Sequence, residues 1–258
     1  MVNIDRQQVD VVGCLIDVSD VSTAAEKIVS LAKHQRQGYV CLANVHMCMT
    51  AKDDLAFAAV LRQASLVVAD GRPVYWAQRL LGAQSARQVR GVDLMLELCK
   101  LAETTGLKLG FYGGQDETLL TQLQQQLLSM FPRLQIVYAW APPFRPLSEQ
   151  EDALQRRRMI NSGADVLLVG LGCPKQECWM AEHQQLPLVM LGVGAAFDFI
   201  AGRKKQAHRL FQRLGLEWLH RLFSEPVRLS GRYFRHNPRF ILGFTKQWLR
   251  SLIMKSTS

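Results

Sequence analysis

The chain has 258 residues, 48% of them hydrophobic, enough to bury the core of one large or two small α/β lobes. No basic-then-apolar leader opens it, and its longest nearly apolar run, Leu186–Phe197, holds Pro187 and two glycines and falls short of the roughly 18 residues of a spanning helix, so a soluble or peripheral protein is expected. The net charge of +9 is lopsided: residues 203–258 carry 13 Lys/Arg against Glu217 and Glu225, a net of +11, while the first 202 residues carry −2. A localised basic segment points to an anionic partner, whether phosphate, nucleic acid or a lipid surface. The six cysteines form no C-x-x-C pair and are expected to be reduced, mostly buried thiols of a cytoplasmic protein.

In chain order, Val9–Asp17 alternates loosely and reads as a strand or hairpin, and Asp20 can cap a helix running to about His34. Tyr39–Ala43 is a short apolar run ending before Asn44, a buried strand, with a helical stretch behind it through Phe57 and Leu61. Leu66–Ala69 is another buried strand, closed by Asp70-Gly71. Asp93 opens a helix with Leu94, Leu98 and Leu101 on one face. Leu107–Tyr112 runs as a strand into Gly113-Gly114, and Asp116 then caps a helix. Leu134–Trp140 is a strand, and Ser148–Glu151 is a capping box for the next helix. Ala164–Gly170 and Leu188–Val193 complete the strands, with a helix after Pro174 between them. Strands and helices alternate on short connections, which predicts a doubly wound, mostly parallel Rossmann-like sheet with helices on both faces. Strand signals stop after Gly202. An α/β domain over 1–202 and a basic helical segment over 203–258 are therefore expected.

Ligands of such sheets bind at the carboxyl ends of the strands. The residues there are Asn44, Asp70, Gly113, Gly114, Gly172, Gln176, Glu177 and Asp198. A carboxylate at a strand end, as at Asp70, can take a proton from an attacking hydroxyl, although Asp-Gly is equally a common turn pair. Gly113-Gly114 before a helix suits a diphosphate, or is simply a strand-to-helix turn. Neither G-x-G-x-x-G nor a Walker A motif occurs. Cys173 and Cys178 with His183 alone do not make a metal site. Asp53-Asp54 reads as a pair of helix-start carboxylates rather than metal ligands, and His46 as a helix-start residue rather than a base. In the tail, Arg221, Arg228, Arg232, Arg235 and Arg239 fall roughly on one helical face, between Pro226 near a helix start and Pro238 near its end. Beyond them Phe240, Phe244, Trp248 and Leu252 recur every four residues with Lys246 and Arg250 opposite. That is the pattern of an interfacial anchor, or of a helix packed on the α/β core.

These blocks, in this order, resemble the WecG/TagA/CpsF family of bacterial glycosyltransferases (glycosyltransferase family 26). The resemblance runs from about Val11 to Phe240. It is carried by Asn44-Val45, Ala69-Asp70-Gly71 with Val74 and Trp76, Arg90–Asp93, Phe111–Gly114, Gly172–Glu177, Gly192–Asp198, Gly215–Leu219, Arg221, Glu225-Pro226, Arg228 and Arg232-Tyr233. It implies an inverting, metal-independent transferase with no cofactor. The donor would be a UDP-sugar, N-acetylmannosamine-type or glucose, and the acceptor a polyprenyl-diphosphate-linked sugar. It implies work at the cytoplasmic membrane face in surface polysaccharide synthesis, with Asp70 as catalytic base. Gln176 and the arginines Arg221, Arg228 and Arg232 would be substrate contacts, with Asn44, Asp93, Gly113, Gly114, Gly172, Glu177 and Asp198 around them. The tail is expected both to complete the active site and to dock on an anionic membrane surface, with self-association left open. Leu42 departs from the family, which often has Thr there, and this leaves the sugar undecided. A nicotinamide oxidoreductase and a nucleic-acid-binding protein are the rival classes, but the glycine fingerprint of the first and any recognition motif of the second are missing.

Overall fold

The computed structural model describes residues 6–34, 37–208, 211 and 215–256, leaving out the side chains of residues 220, 221, 228, 255 and 256. The elements are β1 (Gln8–Val11), β2 (Cys14–Asp17), α1 (Val21–His34), β3 (Gly38–Ala43), α2 (Val45–Asp53), α3 (Leu55–Gln63), β4 (Leu66–Ala69), α4 (Arg72–Leu80), α5 (Gly91–Thr105), β5 (Lys108–Gly113) and α6 (Glu117–Met130). There follow β6 (Gln135–Trp140), α7 (Glu149–Ser162), β7 (Val166–Gly170), α8 (Lys175–Glu182), β8 (Val189–Gly192), α9 (Ala196–Ile200), α10 (Glu217–Ser224) and α11 (Pro226–Ser256).

Side-chain caps set several helix starts. Asp20 accepts the Thr23 N–H at 2.8 Å, Asp116 accepts that of Leu119 at 2.7 Å, and Ser148 and Glu151 form the reciprocal capping box. The helical stretch after Asn44 is two helices that meet at Asp54, whose carboxylate accepts the N–H groups of Ala56 and Phe57. Asp53 is therefore the last residue of α2, not a helix-start residue. At that end the helix dipole repels a carboxylate, and Asp53 is balanced instead by Arg239 and Arg235 of α11. Helix α4 carries no apolar run long enough to reveal it in the sequence. It starts with Pro73 in its first turn, where a missing N–H costs nothing.

The strands form one sheet in the order β1-β2-β4-β3-β8-β7-β5-β6. All pairings are parallel except the β1–β2 hairpin. The central strands are buried on both faces, so their period-2 alternation divides the core in two. Val40, Leu42, Leu66, Val68, Phe111, Leu168 and Leu191 face α1, α5, α6 and α9. Tyr39, Cys41, Val67, Ala69, Tyr112, Val169 and Met190 face α2, α3, α4, α8 and Phe240 of α11. The sheet is thus a doubly wound, Rossmann-like α/β layer, with the C-terminal helix added to one face.

That helix departs from the sequence reading in two ways. Pro238 does not end it: α11 runs unbroken from Pro226 to Ser256. An internal proline costs about 3 kcal/mol, and here tertiary contacts on its C-terminal side offset it. Arg239 pairs with Asp53, Phe240 is buried, and Gln247 accepts the Val12 N–H and donates to the Asp10 carbonyl. Second, Phe240 and Phe244 pack on the α/β core rather than facing outward. The exposed apolar residues of α11 include Phe234, Ile241, Leu242, Leu249 and Ile253.

Candidate active site

At the carboxyl edge of the sheet the chain opens a cavity of about 1340 Å³, roofed by the segment after Gly202. Its floor is made of strand ends and helix starts. Asn44 ends β3 and caps α2, accepting the Met47 N–H at 3.2 Å. Asp70 ends β4. Its N–H and that of Gly71 both donate to the Ala43 carbonyl, at 2.9 and 3.1 Å, locking the two strand ends together. Gly71 has an ordinary extended backbone as the first flank of α4. A glycine suits the close approach here, since a Cβ would lie a tight 3.2 Å from the Asn44 Cα. Asp-Gly is therefore a strand-to-helix junction and not a left-handed turn.

The Asp70 carboxylate accepts the Gly91 N–H at 3.2 Å, at the start of α5, and Gln88 donates to the Asp70 carbonyl at 2.7 Å. The carboxylate is thus aimed and held by a helix N-terminus. At the end of β7, the Gln176 side chain is fixed at both ends: its oxygen accepts the Gly172 N–H at 3.1 Å and its nitrogen donates to Glu177 at 2.8 Å. Gly192 admits this packing, because a Cβ there would meet the Gln176 amide nitrogen at 2.9 Å. Glu177 is fully buried, and its Oε2 has no nitrogen or oxygen partner among the described residues. Burial pushes its carboxyl above the ordinary range, opposed by the hydrogen bond from Gln176.

The tail is tied to this floor by ion pairs. Arg203 holds Asp116 through two bonds of 2.8 and 3.0 Å, Lys204 lies 3.8 Å from Asp198 and 3.0 Å from Glu225, and Arg90 lies 3.3 Å from Glu217. Arg232 donates to the Cys173 carbonyl at 3.3 Å. Beside it the rings of His46 and His236 meet with centroids 4.9 Å apart. Burial, then the charges of Arg232 and His236, pushes the His46 imidazole down to about 4, so it is neutral at pH 7.

Of the residues singled out in the sequence, Asn44, Asp70, Gly114, Gly172, Gln176, Asp198 and Arg232 line this one cavity. Asp93, Gly113 and Glu177 do not: Asp93 faces Arg90 near the surface, Gly113 sits opposite Gly170 in the sheet, and Glu177 lies behind Gln176. The Gly114 N–H donates to the Gly170 carbonyl at 3.0 Å, so it is engaged within the fold. The side chains of Arg221 and Arg228 lie outside the described residues. The cavity also gathers His46, read from the sequence as a helix-start residue rather than a base, Trp76, quoted there only for the family resemblance, and Arg72, Gln88, Lys204 and His236, which sequence reasoning left out. His46 had a readable signal in its place two residues after Asn44 at a strand end. The others come from the unrecognised α4, its following loop, and the tail. Among the described residues no three His, Cys, Asp or Glu side chains converge as metal ligands. None of the helices is long and apolar enough to cross a membrane, among the same residues.

A cavity at the carboxyl edge of a doubly wound sheet, with a held carboxylate in its floor and cations in its roof, is the place and the make-up of an α/β enzyme's active site. The chain belongs to the Glycosyl transferase WecG/TagA/CpsF family, whose model matches residues 9–253, and it is a glycosyltransferase. It is 29% identical over 227 residues to an N-acetylglucosaminyldiphosphoundecaprenol N-acetyl-beta-D-mannosaminyltransferase of Staphylococcus aureus (strain MW2), covering 86% of this chain and 87% of that protein. The protein of the same name from Staphylococcus aureus (strain NCTC 8325 / PS 47) matches at the same identity and coverage.

Proposed function

We propose that the chain transfers a sugar, of the N-acetylmannosamine type or glucose, from a UDP-sugar to a polyprenyl-diphosphate-linked sugar. The transfer inverts the anomeric centre and needs no bound metal, and it serves surface polysaccharide synthesis at the inner face of the cell membrane. The observation that carries this reading is the Asp70 carboxylate, held by the Gly91 N–H in the floor of a large cavity, in a chain whose relatives are named as N-acetylmannosaminyltransferases of N-acetylglucosaminyldiphosphoundecaprenol.

In the proposed step Asp70 takes the proton of the acceptor hydroxyl. The freed oxygen pair attacks the anomeric carbon as the bond from that carbon to the UDP oxygen breaks, and UDP leaves with the electron pair. The leaving diphosphate needs positive partners. The starts of α2, α4, α5 and α8 all line the cavity, and Arg232 and Lys204 lie in its roof. Gln176 offers an oriented amide. Leu42, buried and lining the cavity beside Gly91, gives the pocket an apolar wall rather than a hydroxyl. The outer face of α11, with Leu242, Leu249 and Ile253 exposed beside Arg235, Lys246 and Arg250, is the surface that meets an anionic bilayer. The test is a panel of UDP-sugars offered with a short-chain prenyl-diphosphate N-acetylglucosamine in EDTA. Acceptor-dependent release of UDP supports the reading, and a strict need for added magnesium or manganese would remove its metal-free part.

A further inference from the structure

One wall of the cavity is chemically unlike the rest. Leaving the polar floor at Asp70 and Arg72, the lining turns apolar, with Trp76 and Leu80 from α4 and Phe240, Ile241 and Phe244 from α11. Three of these are open to water although they belong to a concave site: Trp76 is 41%, Leu80 52% and Ile241 62% exposed. Large apolar side chains that share one concave wall are a binding feature, unlike the singly scattered ones of any surface. The wall also has a direction. Helix α4 starts directly after Asp70-Gly71, so Trp76 and Leu80, one turn apart on the same face, lead away from the carboxylate for about 12 Å along the helix. On α11 the apolar line continues past the cavity, because Ile241, Thr245, Trp248 and Leu252 are spaced 4, 3 and 4 and share one stripe.

We propose that this groove, shared by α4 and α11, receives the first isoprene units of the acceptor's prenyl chain while its diphosphate lies over the polar floor. The proposal rests on the transferase reading above. The groove opens from the same cavity as the reacting groups, so its occupant belongs to a molecule already bound there. Of the two substrates only the acceptor has an uncharged, branched hydrocarbon part without hydrogen-bonding groups. This stripe of α11 is separate from the outer Leu242, Leu249 and Ile253 face assigned to the bilayer. The groove therefore acts on a monomeric acceptor in water, with no membrane present. A uracil ring stacked on Trp76 is the competing occupant.

The experiment uses the full chain without vesicles or detergent. The acceptors are methyl, geranyl and farnesyl diphosphate esters of N-acetylglucosamine, kept below their aggregation limits. KM for the acceptor is expected to fall at least about tenfold from methyl to farnesyl. The methyl-to-farnesyl KM ratio should shrink by at least about threefold in both Leu80→Ser and Ile241→Ser. The ratio is read within each variant, so a fraction of misfolded enzyme cancels. An acceptor KM independent of tail length, or a ratio unchanged in both variants, overturns the groove. So does a rise in KM for the UDP-sugar alone, which would assign the wall to the nucleotide. Transfer to none of the acceptors is a different result: it removes the transferase reading and this inference with it.

Discussion

At the scale of single residues, the proposed chemistry depends on how firmly a few polar side chains are held. Asp70 is fixed by a helix start, so Asp70→Asn should fold normally, because an amide oxygen accepts the Gly91 N–H as well. It should lose about 100- to 10,000-fold in turnover, the usual worth of a general base. Near wild-type turnover by the folded variant would remove Asp70 from that role. Glu177 acts through Gln176. Because burial already favours its uncharged form, Glu177→Gln should keep most activity and stability. Glu177→Leu frees the Gln176 amide and should lower kcat/KM roughly tenfold to 100-fold, since a small misplacement in a site is costly. If Glu177→Gln were as damaging as Glu177→Leu, the negative charge itself would be what matters. His46 gives a pH signature. Its folded-state value is depressed to about 4, whereas an unfolded chain binds the proton near 6.5. The unfolded state therefore gains protons first as pH falls, and stability drops between about pH 6.5 and pH 4, by roughly 1–2 kcal/mol from pH 7 to pH 5. Melting curves at the two pH values should show a smaller difference in His46→Gln than in the wild type, and an equal difference would contradict this. Asp70 and Asn44 were legible because each directly follows an apolar strand run. The partner that aims Asp70, Gly91, lies 21 residues further on and is invisible to any local pattern.

At the scale of elements, the strands were the most readable part, since each buried run of four to six residues is bounded by polar or glycine signals. Helix α4 was not readable, because Arg72-Pro73 looks like the continuation of an Asp-Gly turn and only Val74, Ala77 and Gln78 of it are buried. The end of the long helix was misread for a related reason. Pro238 is a strong local stop signal, but contacts to α2 and to the β1–β2 hairpin, more than 180 residues away in sequence, carry the helix on past it. The four-residue aromatic spacing was expected to make one interfacial face, yet Phe240 and Phe244 pack on the core, so the proposed membrane contact falls to the exposed Leu242, Leu249 and Ile253 instead. Leu249→Glu with Ile253→Glu should therefore weaken co-sedimentation with anionic vesicles by at least about tenfold, as two buried apolar groups become charges at the surface. Turnover of a water-soluble acceptor should not follow it. Unchanged vesicle binding in the double variant would take the membrane role away from this face.

At the scale of the whole molecule, the basic tail and the nearly neutral sheet line one cavity. The sheet supplies a carboxylate and helix starts at its carboxyl edge, and the tail supplies the roof, tied down by Arg203 to Asp116, Lys204 to Asp198 and Arg239 to Asp53. The +11 of the tail is thus partly matched by acids outside it, and Arg232 and Lys204 are placed along the cavity. That division explains a strongly basic segment without any nucleic-acid motif. The central claim is acceptor-dependent sugar transfer with Asp70 as base. Its most direct measurement is UDP release and product mass, with and without a prenyl-diphosphate N-acetylglucosamine acceptor, for the wild type and Asp70→Asn in EDTA. The account predicts a product heavier by one sugar, formed only with acceptor and nearly lost in Asp70→Asn. UDP release that ignores the acceptor, or that persists at full rate in Asp70→Asn, would contradict it.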